Sequence, residues 1–399
     1  MNPEIEPASF RSTLFKKEVL LVFTSGFCVM LTIFTMLNLL PLYVVETGGT
    51  ELQAGIQNSV FSIAAVAFRF FLGPLADTKG RKALLVAGSF VFATAPIAIW
   101  FAPNHIFQII ARVYHAIGLA TFLSSASSLL ADHTPYEHRG KIFGLYRALL
   151  SFSLMIGPGI GIALINTRGY SSLFVFTSIV AFVSLVAVML LPKEDMGSSA
   201  RLELMKVLSA MIQLLRNPSL VLGYLGIVVV AAPYASMLAY LTMFTLRTGL
   251  IDNPGIYFTV FAGAGMIATV FSGALADRIG REKIIWPSIV LLGLGICGLS
   301  MLDRFGEGAF YLSALLSGIG YTVALSTLVI WIIDHADEKT RATALVLQEN
   351  SIDIAMSIGP FLIGIGSMKF ELSAMFLFLG IFTALSSVFL FSRSIVKAG

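Results

Sequence analysis

Two carboxylates, Glu349 and Asp353, stand four residues apart inside a long apolar stretch near the C-terminal end of this chain. Arg69, Arg112 and Arg147 interrupt other apolar stretches in the same way. An ionised side chain in the middle of a hydrocarbon slab costs about 2.5 kcal/mol or more unless it is paired or hydrated, so such residues mark ion pairs, proton carriers or a polar cavity. A spacing of four places both acids on one face of a helix, about one turn apart. Like charges at that distance repel, an arrangement suited to holding one exchangeable proton. The alternative is that both acids are fixed partners of arginines. Asp353, roughly 18 Å along its helix and so near mid-membrane, is expected to carry the proton. Glu349 is expected to bridge to Arg69.

The elements that must position these charges are membrane helices. The 399 residues are 57% apolar and only 12% charged, where a soluble domain carries about 25%, and mean hydropathy is +0.89. Runs of about 20 nearly uncharged residues recur, each long enough to cross the bilayer as a helix. Polar breaks divide them into twelve expected spans, near 19–44, 52–76, 83–101, 106–131, 141–165, 171–191, 219–246, 255–276, 284–302, 309–333, 342–367 and 372–392. The one long polar connection, 192–218, separates an N-terminal bundle, 1–191, from a C-terminal bundle, 219–399, and its 201–216 stretch suits an amphipathic surface helix.

The net charge of +4 does not point to nucleic acid, because the basic residues cluster in the termini and alternate loops, among them Lys16, Lys17, Lys79, Arg81, Lys82, Arg139, Lys141, Lys283 and Arg341. That asymmetry predicts a plasma-membrane protein with both termini in the cytoplasm. The apolar run after Lys17 is too long for a cleaved signal peptide. Cys28 and Cys297 both lie in apolar spans, so neither a disulfide framework nor a metal site is expected. No metalloprotease or phosphate-loop motif supports an enzyme or an ATP-driven pump, and no cofactor is implied.

The two bundles are copies. Gly73-Pro-Leu-Ala-Asp77-Thr-Lys-Gly80-Arg81-Lys82 returns as Gly273-Ala-Leu-Ala-Asp277-Arg-Ile-Gly280-Arg281. At a shift of 202, Asp132 aligns with Asp334, Arg139 with Arg341, Arg147 with Glu349, and Gly157-Pro158 with Gly359-Pro360. Six spans duplicated in parallel resemble the plan of the major facilitator superfamily. Arg112-Val-Tyr-His115-Ala-Ile-Gly118 in span 4 resembles that family's R-x-x-Q-G-x-G pattern. Gly144, Ser153 and Gly157-Pro158-Gly-Ile-Gly161 in span 5 resemble its antiporter motif, with Ser153 and Ile162 in place of glycines.

The resemblance implies two six-helix bundles around a central cavity lined by spans 1, 4, 7 and 10. It implies a gate in which Asp77 approaches Thr340 and Arg341 and in which Arg81 meets Asp132. Asp277, Arg281 and Asp334 form the second copy, and such clusters are expected to stabilise the state shut on the cytoplasmic side. Arg112 resembles an arginine linked to proton transfer. Asn38, Arg112, His115, Arg147, Tyr234 and Trp331 are the expected cavity residues, and Gly157-Pro158 is expected to pack against span 8. Arg147 has no acid on span 8 to pair with, which favours an anionic group on the cargo. Spans 1 and 4 lack the carboxylate that many proton-driven drug exporters carry there, leaving Glu349 and Asp353 to supply it. The expected function is alternating-access, proton-coupled export of small organic molecules, with the bilayer and protons as partners and no obligatory protein partner. Uptake of organic anions or sugars is the alternative within transport; a non-transporting receptor or membrane enzyme is the alternative of another class.

Overall fold

The computed structural model of the protein describes residues 9–192, 209, 211–338 and 340–398, with side chains throughout these except at 73–79, 342 and 391–398. Among the described residues twelve long helices follow one another: α1 Lys17–Glu46, α2 Glu51–Lys79, α3 Arg81–Trp100, α4 His105–Asp132, α5 Arg139–Arg168, α6 Tyr170–Met189, α7 Pro218–Thr248, α8 Ile256–Ile279, α9 Glu282–Leu299, α10 Leu302–His335, α11 Arg341–Gly366 and α12 Leu372–Ala398. A short helix, Phe10–Leu14, precedes them. Eleven are long and apolar enough by composition to cross a membrane. The exception, α11, is diluted by Gln348, Glu349, Asn350 and Asp353. It still packs between α2 and α7 as the other eleven pack on their neighbours, so tertiary context carries a segment that its hydropathy alone would not. The expected 201–216 surface helix falls largely outside the described residues.

Local chemistry sets the helix ends. The Asn104 side chain accepts from the N–H groups of Ile106 and Phe107 to cap α4, and Asn217 caps α7 with Pro218 in its first turn. The repeated turns between α2 and α3 and between α8 and α9 need a left-handed residue, supplied by Gly80 at φ 86° and Gly280 at φ 96°. Gly306, at φ 57° and ψ −144°, breaks α10 near its start, which is why sequence places the span itself from about 309.

The two sets of six helices repeat one packing scheme. In the first, α1 packs on α5 and α6, α2 on α4, and α3 on α4 and α6. In the second, α7 packs on α11 and α12, α8 on α10, and α9 on α10 and α12. The sets meet along three seams: α1 with α7, α2 with α11, and α5 with α8. Small residues allow the closest approaches. A Cβ added to Gly359 of α11 would collide with the Ala232 carbonyl of α7, and one on Gly255 would strike the Pro158–Gly159 backbone of α5.

Gly359→Val should therefore overpack the α7–α11 contact and destabilise the protein by about 1–3 kcal/mol. Gly263→Ala, where an added Cβ meets nothing within 4 Å, should leave stability unchanged or slightly raised. Thermal unfolding of the purified proteins in detergent checks both, and equal midpoints for the two variants would contradict this packing.

Candidate functional site at the seam between the helix sets

Arg69 projects from α2 toward α11. Its Nη1 lies 2.7 Å from Oδ2 of Asp353 and donates to Oδ1 of Asn350 at 3.1 Å. Both acceptors are buried on α11. Sequence pairs Arg69 with Glu349; the structure pairs it with Asp353, so Asp353 does have an arginine at its level. The reason is length. α2 continues to Lys79 rather than ending near 76, and three more residues set Arg69 ~4.5 Å deeper. Glu349 instead is exposed, as is Arg147 on α5. The charged groups acting on Glu349 are Asp353, Arg69 and Arg147. The acid whose surroundings include Arg147 is thus contributed by α11 and not by α8, and no direct ion pair joins the two.

Among the described residues, the other hydrogen bonds joining the helix sets lie farther from the termini than this pair. Asn38 Nδ2 donates to the Leu238 carbonyl at 3.0 Å, and Thr242 Oγ1 donates to Asn38 Oδ1 at 2.6 Å. The Tyr240 hydroxyl lies 2.8 Å from the Glu51 carbonyl and 3.1 Å from that of Pro360, while Arg247 pairs with the Glu51 carboxylate. Along the third seam, Asn253 donates to the Gly159 carbonyl at 3.1 Å and Thr259 to that of Met155 at 2.6 Å. The face away from the termini is sealed. Toward the termini, an added Cβ on Gly144 would meet nothing within 4 Å, and Arg147 and Glu349 are exposed. Among the described residues no hydrogen bond or ion pair joins the two sets nearer the termini than Arg69–Asp353, which sits at the floor of the gap that Gly144, Arg147 and Glu349 border.

Several expected cavity residues are elsewhere. Arg112 and His115 are fully buried inside the first helix set. The Arg112 guanidinium lies 4.1 Å from the Phe61 ring centre and donates to the Gln57 carbonyl at 3.4 Å and to Asn58 Oδ1 at 3.1 Å. It also meets His115 Nδ1 at 2.9 Å, and the imidazole packs against Phe61 and Phe92. A guanidinium with no carboxylate beside it has turned inward to polar and aromatic partners on α2 and α4. Asn38 is tied across the α1–α7 seam, and the half-buried Trp331 donates to the Ser219 carbonyl at 3.1 Å within the second set. Tyr234 is buried with its ring 4.0 Å from that of Tyr321.

Of the expected gate residues, Arg81 pairs with Asp132, and Arg281 with Asp334 and Asp277, the last at 3.2 Å. Each of these pairs joins residues of one helix set. Asp77 falls on side chains outside the described residues. Gly157 packs on Leu31 and Thr35 of α1, whereas Pro158 does meet the turn before α8, and Met155 and Gly159 complete the contact with α8 and that turn. Sequence reasoning passed over Glu51, Tyr240, Arg247 and Asn350. One signal was available: Tyr240 stands at the repeat position of Asn38, and both residues cross to the opposite set.

The family model described as Major Facilitator Superfamily matches residues 22–251 and 251–398. Among curated relatives, the chain is 26% identical to "Multidrug resistance protein MdtG" of Enterobacter lignolyticus over 353 residues, 85% of this chain and 82% of that one. It is 25% identical to the protein of the same name from Salmonella arizonae over 366 residues, 88% of each. Solved structures share the fold. A point mutant of the nucleoside transporter NupG superposes with TM-score 0.80 at 13% identity, covering 95% of this chain and 99% of that one. A bacterial homologue of the human lysosomal transporter Spinster, in an inward-facing and unoccupied conformation, gives 0.79 at 16% identity and 98% of each chain.

The Arg69–Asp353 contact makes its own prediction. Arg69→Gln or Asp353→Asn alone strands a charge in low dielectric, whereas the double variant does not. A double-variant cycle on thermal or denaturant unfolding should give a coupling of about 1–3 kcal/mol, and the same cycle between Arg69 and Glu349 a smaller one. Additivity at Arg69–Asp353 would contradict the pairing.

Proposed function

Because the chain belongs to the major facilitator superfamily, we propose that it is a proton-coupled exporter of small organic molecules, with residues 1–191 rocking against 219–399. The observation that carries this reading is the Arg69–Asp353 ion pair. It crosses the α2–α11 seam at the level where the sealed face gives way to the open gap, so a rocking motion that opened the outer face would pull it apart.

Arg69 holds Asp353 as a carboxylate while the outer seam is closed. When that seam opens, Asp353 loses its partner in a low-dielectric setting, and taking up a proton from the outer side removes the stranded charge. Closing the outer seam returns Arg69 to Asp353 and expels the proton toward the side that carries the termini. Proton entry coupled in this way to the return of the empty carrier drives cargo outward. The antiporter-like span 5 supports export, as do the two relatives named for multidrug resistance. The basic loops support a plasma-membrane setting with both termini cytoplasmic.

Two experiments test this. In a protein with Cys28 and Cys297 replaced, a cysteine at Ser9 should be reached by an impermeant reagent only after the membrane is permeabilised; labelling of intact cells would invert the orientation. In proteoliposomes, Asp353→Asn should abolish uphill, gradient-driven transport while sparing exchange of cargo at equal concentrations, since a neutral side chain cannot report the gradient to the conformational change. The Arg69→Gln, Asp353→Asn double variant should recover stability but not uphill transport. Full gradient-driven transport by Asp353→Asn would refute the assignment of Asp353.

A further inference from the structure

Arg147 and Glu349 occupy the same position in the two copies of the repeat, 202 residues apart. The copies share one packing scheme, so the two side chains come to matching depths on opposite walls of the gap. Both are exposed there, and Arg147 is among the charges that act on Glu349. They stand farther apart than the 4.0 Å of a direct ion pair. The gap therefore carries a cation on one wall and an anion on the other, with space between them.

The surroundings make each end of this arrangement distinct. Tyr321 lies close enough to Glu349 to feel its charge, and its ring stacks on Tyr234 at 4.0 Å and meets Phe261 at a tilt at 5.7 Å. A carboxylate beside stacked aromatic faces suits an organic amine, which gains both the ion pair and the cation–π attraction. Arg147 offers a planar fork of donors suited to a carboxylate or phosphate. Arg69 is already engaged by Asp353 and Asn350, which leaves Arg147 as the cation for an incoming anionic group.

We propose that Arg147 and Glu349 form a two-ended recognition site for a zwitterionic organic molecule, its anionic group at Arg147 and its amine at Glu349 beside the half-buried ring of Tyr321. This names a cargo class for the exporter reading and rests on it. A purely cationic molecule at Glu349 meets the opposing field of Arg147, and a purely anionic one at Arg147 meets that of Glu349 and Asp353. Only a molecule with both charges satisfies both walls. Complementarity of this kind acts mainly through discrimination between ligands rather than through raw affinity.

The probes are three fluorescent compounds on one aromatic scaffold, bearing an amine only, a carboxylate only, or both. Binding is measured by fluorescence anisotropy on purified protein, with no gradient imposed. The wild type should bind the zwitterion at least ~10-fold more tightly than either singly charged probe. Arg147→Gln should erase the preference for the zwitterion over the amine, and Glu349→Gln the preference over the carboxylate, with retained monodispersity as the folding check. The swap Arg147→Glu with Glu349→Arg restores one charge of each sign and should return the preference that the single changes lose. Equal binding of all three probes, binding of none, or variants that alter conformation but not discrimination would overturn the site. Discrimination without uphill flux in proteoliposomes would instead refute the exporter reading and leave the site standing.

Discussion

A guanidinium buried among membrane helices must find an acceptor, and where it finds one decides what the helices can do. Arg69 finds its carboxylate on the other helix set, at Asp353, with Asn350 one turn nearer the termini. Arg112 finds neutral partners inside its own set. The first solution ties two bodies together at a point that relative motion breaks; the second tightens one body and is indifferent to that motion. Two arginines of similar sequence appearance thus serve opposite mechanical ends. The difference lies in which neighbour the helix face meets.

Farther from the termini, the seal uses weaker and more numerous contacts. Side-chain hydroxyls and amides reach backbone carbonyls across the seams at Glu51, Leu238, Met155 and Gly159, and Glu51 with Arg247 adds one exposed ion pair. Exposed pairs of this kind contribute at most about 1 kcal/mol, and each hydrogen bond to a carbonyl is similarly modest. Such a seam is held by a sum of small terms, so it can open without any single large barrier. The buried pair at its inner limit is the contact with the steepest electrostatic dependence on separation.

Much of this was legible in the sequence because the repeat constrains it. The turn motif at Gly80 and Gly280, the polar break after span 6 and the alternating basic loops give the number and order of helices, and the structure repeats one packing scheme in both sets. Depth along each helix was less legible. Three extra residues on α2 were enough to move Arg69 from the level expected for Glu349 to that of Asp353. Facing was least legible: periodicity cannot say whether Arg112 or His115 on α4 turns toward a central gap or toward α2, because both choices are buried. Glu51 and Tyr240 were passed over for the same reason, since a backbone carbonyl as acceptor leaves no mark in the sequence of the residue that offers it.

Duplication supplies the geometry of the seams, but a symmetric pair of charges could not bridge them. At the repeat positions of Arg69, in the register of the turn motif, and of Asp353 stand Thr269 and Ser151, so among the described residues the α5–α8 seam, pseudo-symmetric to α2–α11, carries no equivalent ion pair. At the position shared by Arg147 and Glu349 the charge is reversed between copies. Had both copies kept the same sign, the two walls of the gap would repel one another whenever it narrowed, and the closed state would carry that cost in low dielectric. Divergence of charge at equivalent positions removes the penalty while the apolar scaffold stays matched. It also makes one seam electrostatically responsive and leaves the other as a packed contact of Met155, Gly159, Gly255 and Thr259. A device with one responsive seam and one packed seam can hinge at the second while it signals through the first.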